Sequence, residues 1–243
     1  NGHKTWTTLA QHADWIFCLV RTDPAAKPQS GISFLLIDMK SPGVTVRPII
    51  TIDGSHEVND VFLENVRVPA ENLIGEENKG WTYAKFLLGN ERTGIARVGV
   101  SKERLRRIRA LASKVESGGR PVIEDPAFRE KLTACEIELK ALELTQLRVV
   151  ADEGKHGKGK PNPASSVLKI KGSEIQQTTT ELLMEIIGPF AAPYDEHGDA
   201  GSNESMDWTA QIAPSYFNNR KVSIYGGSNE IQRNIIAKAV LGL

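Results

Sequence analysis

The run Tyr225-Gly226-Gly227-Ser228-Asn229-Glu230 leads directly into a segment, Ile231 to Leu241, whose apolar residues recur at helical spacing. Two glycines bring the backbone to a serine able to cap that helix. The unpaired N–H groups of a helix start, the positive end of its dipole and a glycine backbone open to close approach together suit an anion or a polarised carbonyl. A plain capped turn uses the same residues, so the motif by itself leaves both readings open. Glu91 is the second chemical feature. On a helix predicted from Gly80 its neighbours at i−4, i−3, i+4 and i+7 are Leu87, Leu88, Ile95 and Val98, which places a carboxylate on an apolar face. Desolvation raises the pKa of such a group and strengthens it as a base. An ion pair with Arg92 or with another helix is the competing role.

The elements that must position these groups divide into two sets. Residues 1 to about 75 hold short β-rich runs broken by Pro and Gly, at 15–21, 32–39, 44–50 and 61–68. From Trp81 the spacing turns helical, over roughly 80–116, 125–153, 163–188, 206–222 and 229–241. Segments 153–163 and 191–205, rich in Gly, Pro and charge, read as solvated loops. A strand domain followed by a helical bundle is expected.

Composition removes several function classes. The 30 basic and 30 acidic residues cancel, which argues against nucleic acid or an anionic membrane surface as the main partner. No apolar run is long enough to span a bilayer, and no signal peptide is visible, a truncated start hiding any targeting sequence. His3, His12, His56, His156 and His197 have no metal-ligand spacing with each other or with Cys18 and Cys135, so no metal is expected. Two cysteines far apart fit a reduced, intracellular setting, here the cytoplasm, or the mitochondrial matrix in a eukaryote. No Gly-x-Gly-x-x-Gly follows a strand, so a nicotinamide fold is not indicated.

IYGGSNEIQRNIIAKAVLGL closely resembles the C-terminal flavin and thioester loop of the acyl-CoA dehydrogenases, and the opening NGHKTWTT has the form this family uses beside the flavin ring. Between them GISFLLIDMKSPGVTVRPI, DGSHEVNDVFLENVRVPAENLIGEENKGW and LLGNERTGIARVGV are similar to the family's middle domain and following long helix. The resemblance implies a multidomain α+β chain: a barrel- or sandwich-like β domain over 1–78, truncated at its start, then a four-helix bundle over 79–243. Nothing corresponds to the family's N-terminal helical domain, so the chain reads as a C-terminal fragment, expected to hold FAD weakly and to be inactive by itself.

FAD-dependent α,β-dehydrogenation of an acyl-CoA thioester is the activity that the resemblance implies. Most members carry the catalytic glutamate after the loop tyrosine, where this chain has Gly226; a minority carry it at the position of Glu91, and this chain fits the minority. The Gly226 backbone N–H is the implied donor to the thioester oxygen, and it persists if a side chain is added, provided the local φ and ψ suit one. Trp6, Thr8, Ser228, Asn229 and Glu230 are the implied flavin contacts. Arg120 and Glu185 match, with departures, positions that reach a neighbouring subunit's dinucleotide. Gly89, Asn90, Arg92, Tyr225, Gly227 and Lys238 are the implied thioester and CoA contacts. A homodimer or homotetramer, with an electron-transferring flavoprotein as acceptor, follows from the same likeness. A noncatalytic partner subunit of a mixed assembly, suggested by Gly226, Arg120 and Glu185, and a flavin oxidase or monooxygenase of the same fold are the alternatives.

Overall fold

The computed structural model describes residues 1–90, 94–156, 163–191 and 209–243. Two compact units meet in sequence at Gly89 and Asn90. The first is β-rich and the second helical, an α+β chain.

In the first unit β1 (Gly2–Thr8), β5 (Val58–Leu63) and β4 (Val44–Ile49) form an antiparallel sheet in that order, and β2 (Trp15–Arg21) pairs antiparallel with β3 (Ile32–Asp38). Period-two alternation sends Val61 and Leu63 inward to meet Cys18 and Ile37 of the second sheet, giving a sandwich-like core. On the outer face Phe62 stacks on His3 with ring centroids 4.4 Å apart. β5 lies upstream of the 61–68 run expected from composition. Val58 already pairs with both Thr8 and Ile49, and the strand stops at Leu63 because Asn65, at φ 52°, turns the chain.

β1 carries an irregularity. Its register shifts between Lys4 and Thr7, and Trp6 within the shift has φ 59°. A left-handed bulky residue in a strand is uncommon and costs on the order of 1–3 kcal/mol. The buried Asn59 amide holds this distortion, donating to the Thr7 carbonyl at 3.1 Å and to Gln11 Oε1 at 2.6 Å.

The first helix, α1 (Gly80–Asn90), starts against β3, where a Cβ on Gly80 would lie 2.6 Å from the Ser33 carbonyl carbon. The expectation of one helix over 80–116 is corrected: a single 3-10 turn, Gly94–Ala96, comes before α2 (Val98–Ala112), and Arg97 between them has φ 50°. Ile95 and Val98 therefore do not continue the face of Leu87 and Leu88, and both leucines are exposed. The apolar-face argument for Glu91 loses those neighbours.

α3 (Pro126–His156) and α4 (Pro163–Ile187) lie close to their expected spans. Asp125 Oδ1 accepts from the Ala127 N–H at 2.8 Å, capping α3 ahead of a proline in its first turn. Gly188, at φ 52°, follows the end of α4. α5 (Ile212–Asn218) runs into a 3-10 segment, Asn219–Ser223, and α6 (Asn229–Ile236) into a π-helical turn, Ala237–Leu241. Residues 157–162 and 192–208, on which most of the two expected loops and the start of the expected 206–222 segment fall, lie outside the described residues.

α4 is the centre of the bundle, packing on α2, α3, α5 and α6. Its Gly172 meets the 3-10 turn, and a Cβ there would sit 2.7 Å from the Ala96 carbonyl oxygen. Gly172→Ala should therefore destabilise the protein by about 1–2 kcal/mol, the clash outweighing the helix propensity gained. Gly99, in α2 with nothing within 4 Å of an added Cβ, should respond in the opposite sense, Gly99→Ala stabilising by up to about 1 kcal/mol. Urea midpoints of the two variants decide this, and equal signs would contradict the packing described.

Among the described residues no helix is long and apolar enough to cross a membrane, and no group of His, Cys, Asp and Glu could hold a metal ion.

Candidate active site

The turn before α6 follows from two glycines that no other residue replaces without strain. Gly226 has φ 65° and Gly227 φ 80°. A Cβ on Gly226 would lie 2.8 Å from Ile95 Cδ1, and one on Gly227 2.6 Å from Gln232 Nε2. The glycines thus let the turn lie against Ile95, two residues past the undescribed stretch 91–93, and let Gln232 fold back over it. Ser228 is extended and its Oγ accepts from the Ile231 N–H at 3.4 Å, so the predicted cap forms and starts the helix at Asn229. Gly226, Gly227 and Tyr225 are exposed, and none of the described residues accepts a hydrogen bond from the Gly226 N–H. What remains is an open donor beside a helix N-terminus, able to receive a developing oxyanion.

The triplet after the glycines splits three ways. Ser228 caps. Glu230 points to solvent, its carboxyl held below the usual range by a backbone hydrogen bond, then by the Ser228 hydroxyl, with Arg233 and Lys169 adding attraction. Asn229 turns inward: its Oδ1 accepts from Lys169 Nζ at 2.7 Å and its Nδ2 donates to Ser173 Oγ at 3.0 Å. The Asn229 side chain is therefore committed to the bundle.

Lys169, on α4, is 2 % exposed and also donates to the Ser223 carbonyl at 2.9 Å. Burial pushes its ammonium pKa down, partly countered by the charge of Glu230. Sequence reasoning missed this residue. Its sign in the sequence is a lysine between Leu168 and Ile170 on a helix whose serines and threonines lie on every face.

The other expected site residues are dispersed. In the first unit Trp6 is 63 % exposed, so the usual core role of such a tryptophan does not apply, and Thr8 is exposed beside it on β1. Gly89 and Asn90 close α1, while Glu91 and Arg92 lie outside the described residues. Arg120 is exposed on a hairpin of β6 (Glu116–Ser117) and β7 (Arg120–Pro121), whose Gly118 and Gly119 both have positive φ, as a tight two-residue turn requires. Glu185 accepts from Lys131 Nζ at 2.9 Å, tying α4 to α3. It lies 16 residues beyond Lys169 on the same helix, roughly 24 Å along the axis, so the structure does not bring it to the turn. Lys238 is exposed in the π-helical turn.

Models of the acyl-CoA dehydrogenase middle domain and the acyl-CoA dehydrogenase C-terminal domain match residues 1–66 and 78–241. The chain belongs to the acyl-CoA dehydrogenase family. Acyl-CoA dehydrogenase IpdE1 of Mycobacterium tuberculosis is 34% identical over 244 residues, covering 100% of this chain and 59% of that protein. Among solved structures, the "Tcur3481-Tcur3483 steroid ACAD" aligns with a TM-score of 0.83 at 27% identity over 100% of this chain and 60% of its own. The ChsE4-ChsE5 complex from Mycobacterium tuberculosis gives 0.80 at 29% identity, over 100% and 61%. The chain thus spans about three-fifths of the length of these acyl-CoA dehydrogenase relatives.

Proposed function

We propose that this chain supplies the middle and C-terminal parts of an FAD-dependent acyl-CoA dehydrogenase, with Glu91 as the base and the Gly226 N–H as a donor to the thioester oxygen. The open Gly226 donor at the start of α6, in a chain of this family, carries the reading. The residues present fit a flavin. Trp6 offers an indole at a strained, exposed bulge with Thr8 next to it, and the Gly226-Gly227 turn presents an exposed backbone free of side chains. A bound FAD would supply the acceptor for the hydride that leaves the substrate's β carbon. The chain's own residues do the rest. Glu91 removes the α proton, and the Gly226 N–H stabilises the charge that then develops on the thioester oxygen. Because that donor is backbone, it does not depend on the side chain at 226. Tyr225, Gly227 and the 89–92 segment flank the thioester, and Lys238 and Arg92 supply cations for the CoA phosphates.

Oligomerisation is part of the proposal. α3 buries Cys135, Leu139, Leu142 and Val149 while exposing Ile137, Leu144, Leu147 and Val150, so an apolar surface faces away from the bundle core. A homodimer or homotetramer would cover it, with Arg120 and Glu185 reaching a neighbouring dinucleotide. An electron-transferring flavoprotein is the proposed acceptor.

The test is anaerobic mixing of the full-length flavoprotein with a panel of acyl-CoAs, linear and steroid-bearing, the latter because one similar structure is named a steroid ACAD. Bleaching of the flavin by one of them supports the reading. The 243-residue polypeptide by itself should purify colourless, since Trp6, Thr8 and the Ser228 turn offer few contacts against the cost of ordering a large cofactor; stoichiometric yellow flavin after gel filtration would refute that.

A second reading, a noncatalytic partner subunit, is favoured by Gly226 standing where most members carry glutamate and by a similar structure being a two-protein complex, ChsE4-ChsE5. It requires that no acyl-CoA bleach the protein until a second, different chain is added. Rapid reoxidation of the bleached flavin by oxygen would instead indicate an oxidase or monooxygenase.

A further inference from the structure

We propose that Lys169 is a positioning residue for the dehydrogenation site, holding the Gly226 turn from below through its two stems. The inference rests on the reading of Gly226 as the oxyanion donor and adds to it the group that sets where that donor points.

The two acceptors of the ammonium lie on either side of the turn. Ser223 O ends the 3-10 segment before it, at 2.9 Å, and Asn229 Oδ1 begins α6 after it, at 2.7 Å. Only residues 224–228 separate them, and two of these five are glycines in left-handed conformations. Such a segment has many accessible conformations, and fixing each residue costs on the order of 1–2 kcal/mol. One buried cation bonded to both stems removes much of that freedom. Ser173 completes the lock: its hydroxyl donates to the Ile170 carbonyl and accepts from the Asn229 amide, which fixes which face of Asn229 meets the lysine.

Stability alone is a poor account of this arrangement. A buried ammonium loses its hydration, and here its close acceptors are a carbonyl and a carboxamide rather than a carboxylate. A methionine of similar length would fill the space at lower cost. Elsewhere the same bundle uses exposed pairs, such as Lys131 with Glu185, to join its helices. The buried cation is found under the turn that carries the exposed donor, where displacement of the order of 1 Å costs about a hundredfold in rate.

The test uses the full-length flavoprotein and the acyl-CoA that bleaches wild type fastest. Lys169→Met should lower the limiting rate of anaerobic flavin reduction by roughly 10- to 100-fold while leaving acyl-CoA affinity and flavin content within about threefold, because the oxyanion contact matters chiefly in the transition state. Should Lys169→Met fail to fold, Asn229→Ala, which removes one stem only, is read in the same way with a loss of about fivefold. A folded Lys169→Met with an unchanged limiting rate, or one whose loss lies wholly in affinity, overturns the inference while the dehydrogenase reading stands. A wild-type flavoprotein that no acyl-CoA bleaches overturns the dehydrogenase reading, and the inference with it.

Discussion

Glu91→Gln in the full-length flavoprotein should slow flavin reduction by a saturating acyl-CoA by roughly a hundredfold or more, with flavin content unchanged. Glutamine keeps the size and polarity of the side chain and removes only its capacity to take a proton, and general-base catalysis by a positioned side chain contributes about that much. The proposal draws on the pairing of Glu91 with glycine at 226. One position supplies a carboxylate, and the other keeps only its backbone donor. A loss confined to affinity would assign Glu91 to binding, and an unchanged limiting rate would reject it as the base.

Moving the base from 91 to 226 should fail in the simple double variant and succeed in part only when space is made. The sequence suggests an exchange in which the Gly226 N–H persists beneath a new side chain. The structure adds two obstacles: φ at Gly226 is 65°, and a Cβ there would lie 2.8 Å from Ile95 Cδ1. A left-handed glutamate costs about 1–2 kcal/mol, and the contact adds to it. Glu91→Gly with Gly226→Glu should thus reduce flavin no faster than Glu91→Gly alone. Adding Ile95→Ala, which removes the obstructing methyl and leaves only the φ strain, should raise the rate by about tenfold over the double variant. Stopped-flow reduction of the three proteins under anaerobic conditions checks this, and recovery in the double variant without the Ile95 change would show that the turn yields more readily than its geometry implies.

Part of the architecture was legible in the chain because it rests on local rules. β2, β3 and β4 follow from alternating β-branched and aromatic runs between Pro and Gly; α3 begins at Asp125-Pro126, and α4 begins at Pro163 and ends ahead of Gly188, signals carried by a few adjacent residues. The Gly226-Gly227-Ser228 junction is equally local: left-handed glycines and a capping hydroxyl need no distant partner to be recognised.

Where the decision lay between distant segments, spacing misled. The apolar periodicity of 80–116 ran through a break at residues 94–97, because the residues past it take their places in the bundle: Ile95 against Gly226, and Ala96 against Gly172. A tryptophan in a strand domain usually lies in the core, yet a bulge held by Asn59, 53 positions away, leaves Trp6 exposed, in keeping with the flavin contact that the resemblance implies. The resemblance implies Asn229 as a flavin contact with Ser228 and Glu230, yet Lys169 and Ser173, about 60 residues earlier, draw its amide inside. The kinds of element and the chemistry open to the turn follow from the local sequence, since φ preference, capping and side-chain type are properties of a residue and its near neighbours. Which side chains face the turn and which support it emerges with packing, because a buried cation or a close backbone approach exists only once segments far apart in the chain are brought together.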